Sequence, residues 1–223
     1  QSDPDYQTFN LFAGDFVNYG DTEASWQNEL FDPALTHIRA LLANMAFLPA
    51  IGNHEGGGIL FQRYFNLPLV KARYGSFDYG PAHIVLLDQY VPFTAGSNQY
   101  AWLEKDLASS AKRWKIVVLH EPAWSAGGGH DNSAETQSLQ PLFEQYGVAM
   151  VIGGHNHYYA RAEAGGIQHL TIGSGGAPLY TPNPSMPRIV TTFQGTGYSQ
   201  FEINGGTLTS WFLAADGTVM DTF

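Results

Sequence analysis

The chain has no cysteine. Disulfides, zinc–thiolate sites and iron–sulfur clusters are therefore excluded. Basic residues are scarce. Ten Lys and Arg stand against 20 Asp and Glu, for a formal net charge of −10. A nucleic-acid scaffold is therefore ruled out as the main partner, because binding one needs clustered Lys and Arg. A small phosphate-bearing substrate stays open, since a bound dication reverses the local sign. No apolar run approaches membrane-span length, so no membrane span is expected. Repeats, linkers and low-complexity tracts are also missing. No signal peptide is visible, and an exported chain loses one on maturation. The few lysines and the abundance of Gly, Asn, Ser, Thr and Tyr suit an extracellular or periplasmic protein.

Apolar residues are plentiful, at 44%, while charged residues make up only 13%. Such a chain folds around a core. Its 223 residues can bury one without staples and are expected to form a single domain over 1–223. "TFNLFAG" reads as a strand ending at a glycine turn. "DPALTHIRALLANM" reads as a helix capped by Asp32, with Pro33 in its first turn. "AFLPAIGNHE" is a strand running into a turn. "YGSFDYGPAHIVLLDQY" is a hairpin turning at Gly80-Pro81. A helix capped by Ser97 comes next, then the strand "WKIVVLHEP". A third helix is predicted over Ala134–Tyr146, ended by Gly147. "VAMVIGGH" is another strand, and from His157 onward the chain reads almost entirely as β. Helices alternating with strands, then a β meander, predict two packed sheets flanked by helices.

Four of these strands end alike. They run into Asp15 ("AGD"), Asn53 and His54 ("IGNHE"), His120 ("VVLHEP"), and His155 and His157 ("IGGHNH"). Binding sites in α/β sheets gather beyond the carboxyl ends of strands. Six ligand-type side chains can thus converge. Carboxylate, amide oxygen and imidazole suit zinc, iron, manganese or cobalt. If "GGHNHYYAR" is extended, His155 and His157 share one face and can hold one metal or two adjacent ones.

In order and spacing, "GD", "GNHE", "LH" and "GHNH" resemble the calcineurin-like metallophosphoesterases. "GHNHYYAR" looks most like the purple-acid-phosphatase branch, and "GSGGAP" stands where that family has it. The resemblance covers nearly the whole chain. It implies an α/β fold, a four-layer α/β/β/α sandwich of two mixed sheets. It implies a hydrolase of phosphomonoesters or phosphodiesters with two divalent metal ions, zinc, manganese or iron. A hydroxide bridging the ions would attack phosphorus. Asp15 would bridge both metals. Asn53, His120 and His155 would complete one site, and His157 would ligate the other. His54 would bind phosphate or protonate the leaving group, with Glu55 in reach to orient it.

The pattern departs in two places. The family's first strand carries Asp-x-His or Asp-x-Gly, and neither occurs before Asp15. The chain is thus expected to lack that strand and its metal motif, with Asp3 and Asp5 as weak substitutes. Further, the purple branch has tyrosine three residues after the aspartate. Here Asn18 holds that place and Tyr19 comes next, so no tyrosinate–iron centre is expected. A degenerate member acting as a binding or assembly module is the alternative reading. A zinc amidase is disfavoured, because no His-Glu-x-x-His helix occurs. His130, in a glycine-rich loop, is a candidate substrate contact. Trp124 could stack on a leaving group or pack internally. His37, His83 and His169 read as structural, Arg161 as an ion-pair partner, and Tyr158-Tyr159 as one core and one rim residue.

Overall fold

The computed structural model describes residues 9–68 and 73–223. Asp3 and Asp5 lie outside them. The chain builds a four-layer α/β/β/α sandwich. Its largest sheet has seven strands: β3 (Gly75–Tyr79), β4 (Ala82–Leu86), β5 (Trp114–Val118), β6 (Val148–Gly153), β7 (Tyr159–Ala164), β8 (Ile167–Ile172) and β9 (Ile189–Phe193). Their spatial order is β3-β4-β5-β6-β8-β7-β9. The run β4-β5-β6-β8 is parallel, and the two edges are antiparallel. The second sheet layer is divided among the described residues. One part is the parallel pair β1 (Phe9–Ala13) and β2 (Ala46–Ala50). The other is the antiparallel meander β10 (Gly197–Asn204), β11 (Thr207–Ala214) and β12 (Val219–Thr222).

Strand alternation builds the layers. Ile84, Leu86, Ile116, Val118, Met150, Ile152 and Leu170 face the second sheet layer, where Leu11, Leu48, Phe201 and Phe212 meet them. Their neighbours Val85, Leu87, Val117, Leu119 and Val151 face the opposite way. They are covered by α4 (Asn98–Ser109), through Leu103 and Leu107, and by α6 (Gln140–Gln145), through Leu142 and Phe143. Beneath β1 and β2 lies an aromatic cluster of Phe16, Trp26, Phe61 and Phe65. It is carried by α1 (Glu23–Trp26), which continues as a π turn over Gln27–Phe31, and by α3 (Ile59–Tyr64); α2 (Thr36–Asn44) packs Ile38 and Leu42 against it. No helix among the described residues is long and apolar enough to cross a membrane.

Several predicted elements differ in detail. Asp32 does not cap α2. Its carboxylate accepts the Ala34 N–H at 2.8 Å, closing a separate turn, and the helix starts at Thr36. The expected helix over 134–146 is two, α5 (Ala134–Gln137) and α6. Pro141 has no N–H to continue α5, but it fits the first turn of a new helix. Ser97 does cap α4, accepting the Tyr100 N–H at 3.1 Å. Tyr158 and Tyr159 are both core residues, not one core and one rim. Trp124 is packed: its ring meets His169 edge-on, and the Arg188 guanidinium lies 5.0 Å over it. Arg161 forks onto Asp221, with 2.7 and 3.1 Å contacts, and tethers β12 to β7. His83 is buried between Asp78 and Asp106, whereas His37 is an exposed helix residue.

Candidate metal centre

Four strand ends deliver four donors to one point. β1 ends at Ala13 and β2 at Ala50, and a short turn over Asn53–Glu55 follows β2. The sites after β5 and β6 supply His120 and His155. His120 is fully buried, and its Nε2 lies 3.0 Å from Asp15 Oδ2, 3.0 Å from Asn53 Oδ1 and 3.1 Å from His155 Nδ1. Its Nδ1–H donates to the Ala13 carbonyl at 2.6 Å. The ligand atoms of Asp15, His120 and His155 all lie within 4.8 Å of one another.

This arrangement has one electrostatic meaning. Three electron-pair donors face a single imidazole nitrogen, which can offer at most one proton. A cation held among all four satisfies them together. Titration points the same way. Burial alone would raise the Asp15 carboxyl, but the His120 imidazole and the His54 backbone N–H hold it below the usual carboxylate range. Burial works against a charged His120, and the Asp15 carboxylate outweighs it and raises the imidazole. Burial, then the neighbouring His120 and His130 rings, push His155 down to about 3, so it keeps its lone pair.

The backbone is bent to achieve this. Asp15 has φ 62° and His155 has φ 65°, both left-handed conformations that disfavour side chains other than glycine's. Gly14 and Gly52 make room. A Cβ on Gly14 would sit 2.7 Å from His120 Nδ1, and one on Gly52 would sit 2.2 Å from Asp15 Oδ1. Glu55 then fastens the two turns. It is fully buried, and its carboxylate accepts the N–H groups of Gly52 (2.7 Å), Asp15 (2.8 Å) and Phe16 (2.7 Å).

Three imidazoles share one device. Nδ1–H donates to a main-chain carbonyl in His120 (Ala13), His54 (Asn18, 2.9 Å) and His157 (Pro178, 2.8 Å). That bond orients the ring and leaves Nε2 to bind or to carry a proton.

The calcineurin-like phosphoesterase family profile matches residues 4–159. The chain belongs to the calcineurin-like phosphoesterase family. Purple acid phosphatase 22 of Arabidopsis thaliana is 27% identical over 238 residues, covering 93% of this chain and 54% of that protein. The chain thus spans about half the length of that curated relative. In fold it is similar to purple acid phosphatase PPD1 from yellow lupin (Lupinus luteus) seeds. The TM-score is 0.83 over 97% of this chain and 46% of that one, at 22% identity. It is also similar to GAP50, the anchor in the inner membrane complex of Plasmodium. There the TM-score is 0.68 over 97% of this chain and 77% of that one, at 19% identity.

Not every ligand-type residue of this calcineurin-like chain joins the cluster. The segment after Gly153 is not extended. It bends through short bonds, Asn156 N–H to the Gly154 carbonyl (2.7 Å) and Tyr158 N–H to the Asn156 carbonyl (2.9 Å). His155 and His157 therefore part company. His155 meets His120, while His157 stacks on Tyr180, with centroids 4.1 Å apart. His130 stacks on His155, with centroids 3.9 Å apart, at the exposed rim. Tyr19 is outside the cluster, with its side chain largely exposed. Glu55 does not orient the His54 ring; the Asn18 carbonyl orients that ring instead.

Three contributors went unread in the sequence. Gln89 accepts the backbone N–H groups of His120 and Glu121, at 2.8 and 2.6 Å. Asn156 and Tyr180 hold the rim. For these no local sequence signal exists. Glu55 had one: a glutamate three residues after Gly52, at the start of a helical turn, is the pattern of a carboxylate reaching back to the turn's first N–H.

Proposed function

We propose that this chain is the catalytic part of a metal-dependent phosphate-ester hydrolase. The observation that carries the reading is the convergence of Asp15, Asn53 and His155 on His120 Nε2, all within 3.1 Å. Those four residues would hold one divalent ion. His157, with its Nδ1 on the Pro178 carbonyl and Nε2 turned to bind, and Asp15 would share a second. Divalent ions bound there supply Lewis-acid charge against a phosphoryl group and lower the pKa of water.

The chain's own groups do the rest. The Asn18 carbonyl keeps the His54 proton on Nδ1, so Nε2 is the end that exchanges a proton with the leaving oxygen. The His54 backbone N–H, in turn, donates to Asp15 Oδ1 at 3.0 Å and aims that carboxylate. His130, stacked on His155, offers a further imidazole to substrate at the rim. A bound dication would offset the net charge of −10 for a small phosphate ester, mono- or diester, and the few lysines and the abundance of Gly, Asn, Ser, Thr and Tyr suit a protein outside the cytoplasm.

Metal analysis with an ester panel tests this. Wild type incubated with zinc or manganese should retain at least one ion per chain and hydrolyse phosphate esters, and His120→Ala should retain less than about 0.2. Bound metal without turnover of any mono- or diester would favour a non-catalytic binding module instead.

A further inference from the structure

Residues 18–20 wrap around His54. On one side of Tyr19, the Asn18 carbonyl accepts the His54 Nδ1–H at 2.9 Å. On the other, the Gly20 N–H donates to the His54 carbonyl at 2.8 Å. The same three residues are fastened outward. The Asn18 N–H donates to Glu29 at 2.7 Å, and the Gly20 carbonyl accepts the Trp26 indole N–H at 2.8 Å. The Tyr19 carbonyl accepts both the N–H and the hydroxyl of Thr22, at 3.0 and 2.9 Å. Gly20 permits the close approach, since a Cβ there would lie 2.4 Å from Glu55 Cα.

This rigid loop nevertheless leaves a large aromatic side chain in water. Tyr19 is 72% exposed, among the most exposed large apolar side chains in the described residues. It forms none of the ring pairs through which the other aromatics of this segment, Phe16 and Trp26, are buried. A flexible loop with an exposed tyrosine is ordinary. A loop whose main chain is pinned on both sides of the tyrosine to one histidine fixes where that side chain leaves the backbone, beside His54, and keeps its ring open to a ligand. The histidine in question is the one assigned to the leaving group. The organic part of the ester departs from that side.

We infer that Tyr19 is a specificity-determining residue, a platform for the leaving group that favours phosphate esters of aromatic alcohols over those of small alkyl alcohols. The inference rests on the phosphoesterase reading above. A stacked aromatic pair strengthens binding by about 3- to 10-fold beyond simple burial. That sets the size of the preference Tyr19 should add.

Binding of non-hydrolysable phosphonates separates the two claims. Phenylphosphonate and methylphosphonate would be titrated calorimetrically into the metal-loaded chain, as wild type, Tyr19→Ala and Tyr19→Phe. Phenylphosphonate should bind more tightly to wild type and to Tyr19→Phe. Tyr19→Ala should lose about 3- to 10-fold for phenylphosphonate, with methylphosphonate and metal content unchanged. Equal losses for both ligands, no loss for either, failure of wild type to bind either one, or loss of metal from Tyr19→Ala would overturn the inference. Phenyl phosphate turnover is read separately. No turnover with the phenyl preference intact would sink the catalytic reading and leave the Tyr19 platform standing.

Discussion

Asn156 accepts the His130 N–H at 2.7 Å, and its amide donates back to the His130 carbonyl at 3.4 Å. It does so from full burial, between the two histidines of the "GHNH" run. The metal-side turn and the glycine-rich rim loop are thus one assembly, and His130 is stacked on His155 because Asn156 holds its backbone. Asn156→Ala should keep its metal but release His130. KM for phosphate esters should rise about 10-fold, the cost of roughly one well-made buried hydrogen bond, with a smaller change in kcat. Asn156→Asp keeps the accepting oxygen and should recover part of the loss. A KM equal to wild type in Asn156→Ala would separate the rim loop from substrate binding.

His54→Ala should retain bound metal, because the His54 ring is on the Asn18 carbonyl and not in the donor cluster. Turnover of alkyl esters should fall about 10²–10⁴-fold, as for a removed acid catalyst. Nitrophenyl esters, whose leaving group scarcely needs a proton, should suffer less. Steady-state kinetics on the two ester types check this, and equal losses would refute the assignment.

Glu55→Gln puts an NH₂ group where a carboxylate oxygen now accepts main-chain N–H groups from two turns. A buried donor facing a donor costs about 1–3 kcal/mol. Denaturant unfolding should show that loss, and metal affinity should fall with it, because one of the N–H groups Glu55 holds is that of Asp15. Unchanged metal affinity in a destabilised protein would confine Glu55 to stability.

Burial, helped by the nearby Arg188, pushes His169 down to about 4. The folded state therefore keeps this imidazole neutral where the unfolded chain protonates it. Above pH about 6.5 both states are neutral and nothing is gained or lost. As pH falls from about 6.5 towards 4, the unfolded chain takes up the proton and stability drops, by at most about 3 kcal/mol. His155 titrates in the same direction. A His169→Gln comparison isolates the share belonging to His169. Melting temperatures of wild type and variant should converge as pH is lowered through this window, and parallel curves would contradict the assignment.

The donors were legible in the sequence because each comes directly after a β-rich apolar run, and the ends of such strands meet in space. Asp15, Asn53, His120 and His155 needed no knowledge of long-range contacts. The shared face expected of His155 and His157 does not form, because strand alternation does not extend past Gly153, where His155 adopts a left-handed conformation. Asn156 and Tyr180 carried no periodic or capping signal. Their work lies in contacts to residues 26 and 23 positions away, His130 and His157, which only the fold brings near. The break at Pro141 was missed because apolar spacing alone does not register a missing N–H.

The carboxylate of Glu55 ties the turn after β1 to the turn after β2 through three main-chain donors. A length change within either turn would slide its N–H groups out of reach and move a ligand. The exposed stretch around Pro33 and Ala34, by contrast, lies between the two turns in the chain but outside their junction. Insertions can collect there without the donors noticing. The distance between "GD" and "GNHE" along the chain can therefore change without moving the donors, while the two turns in space act as one mechanical part.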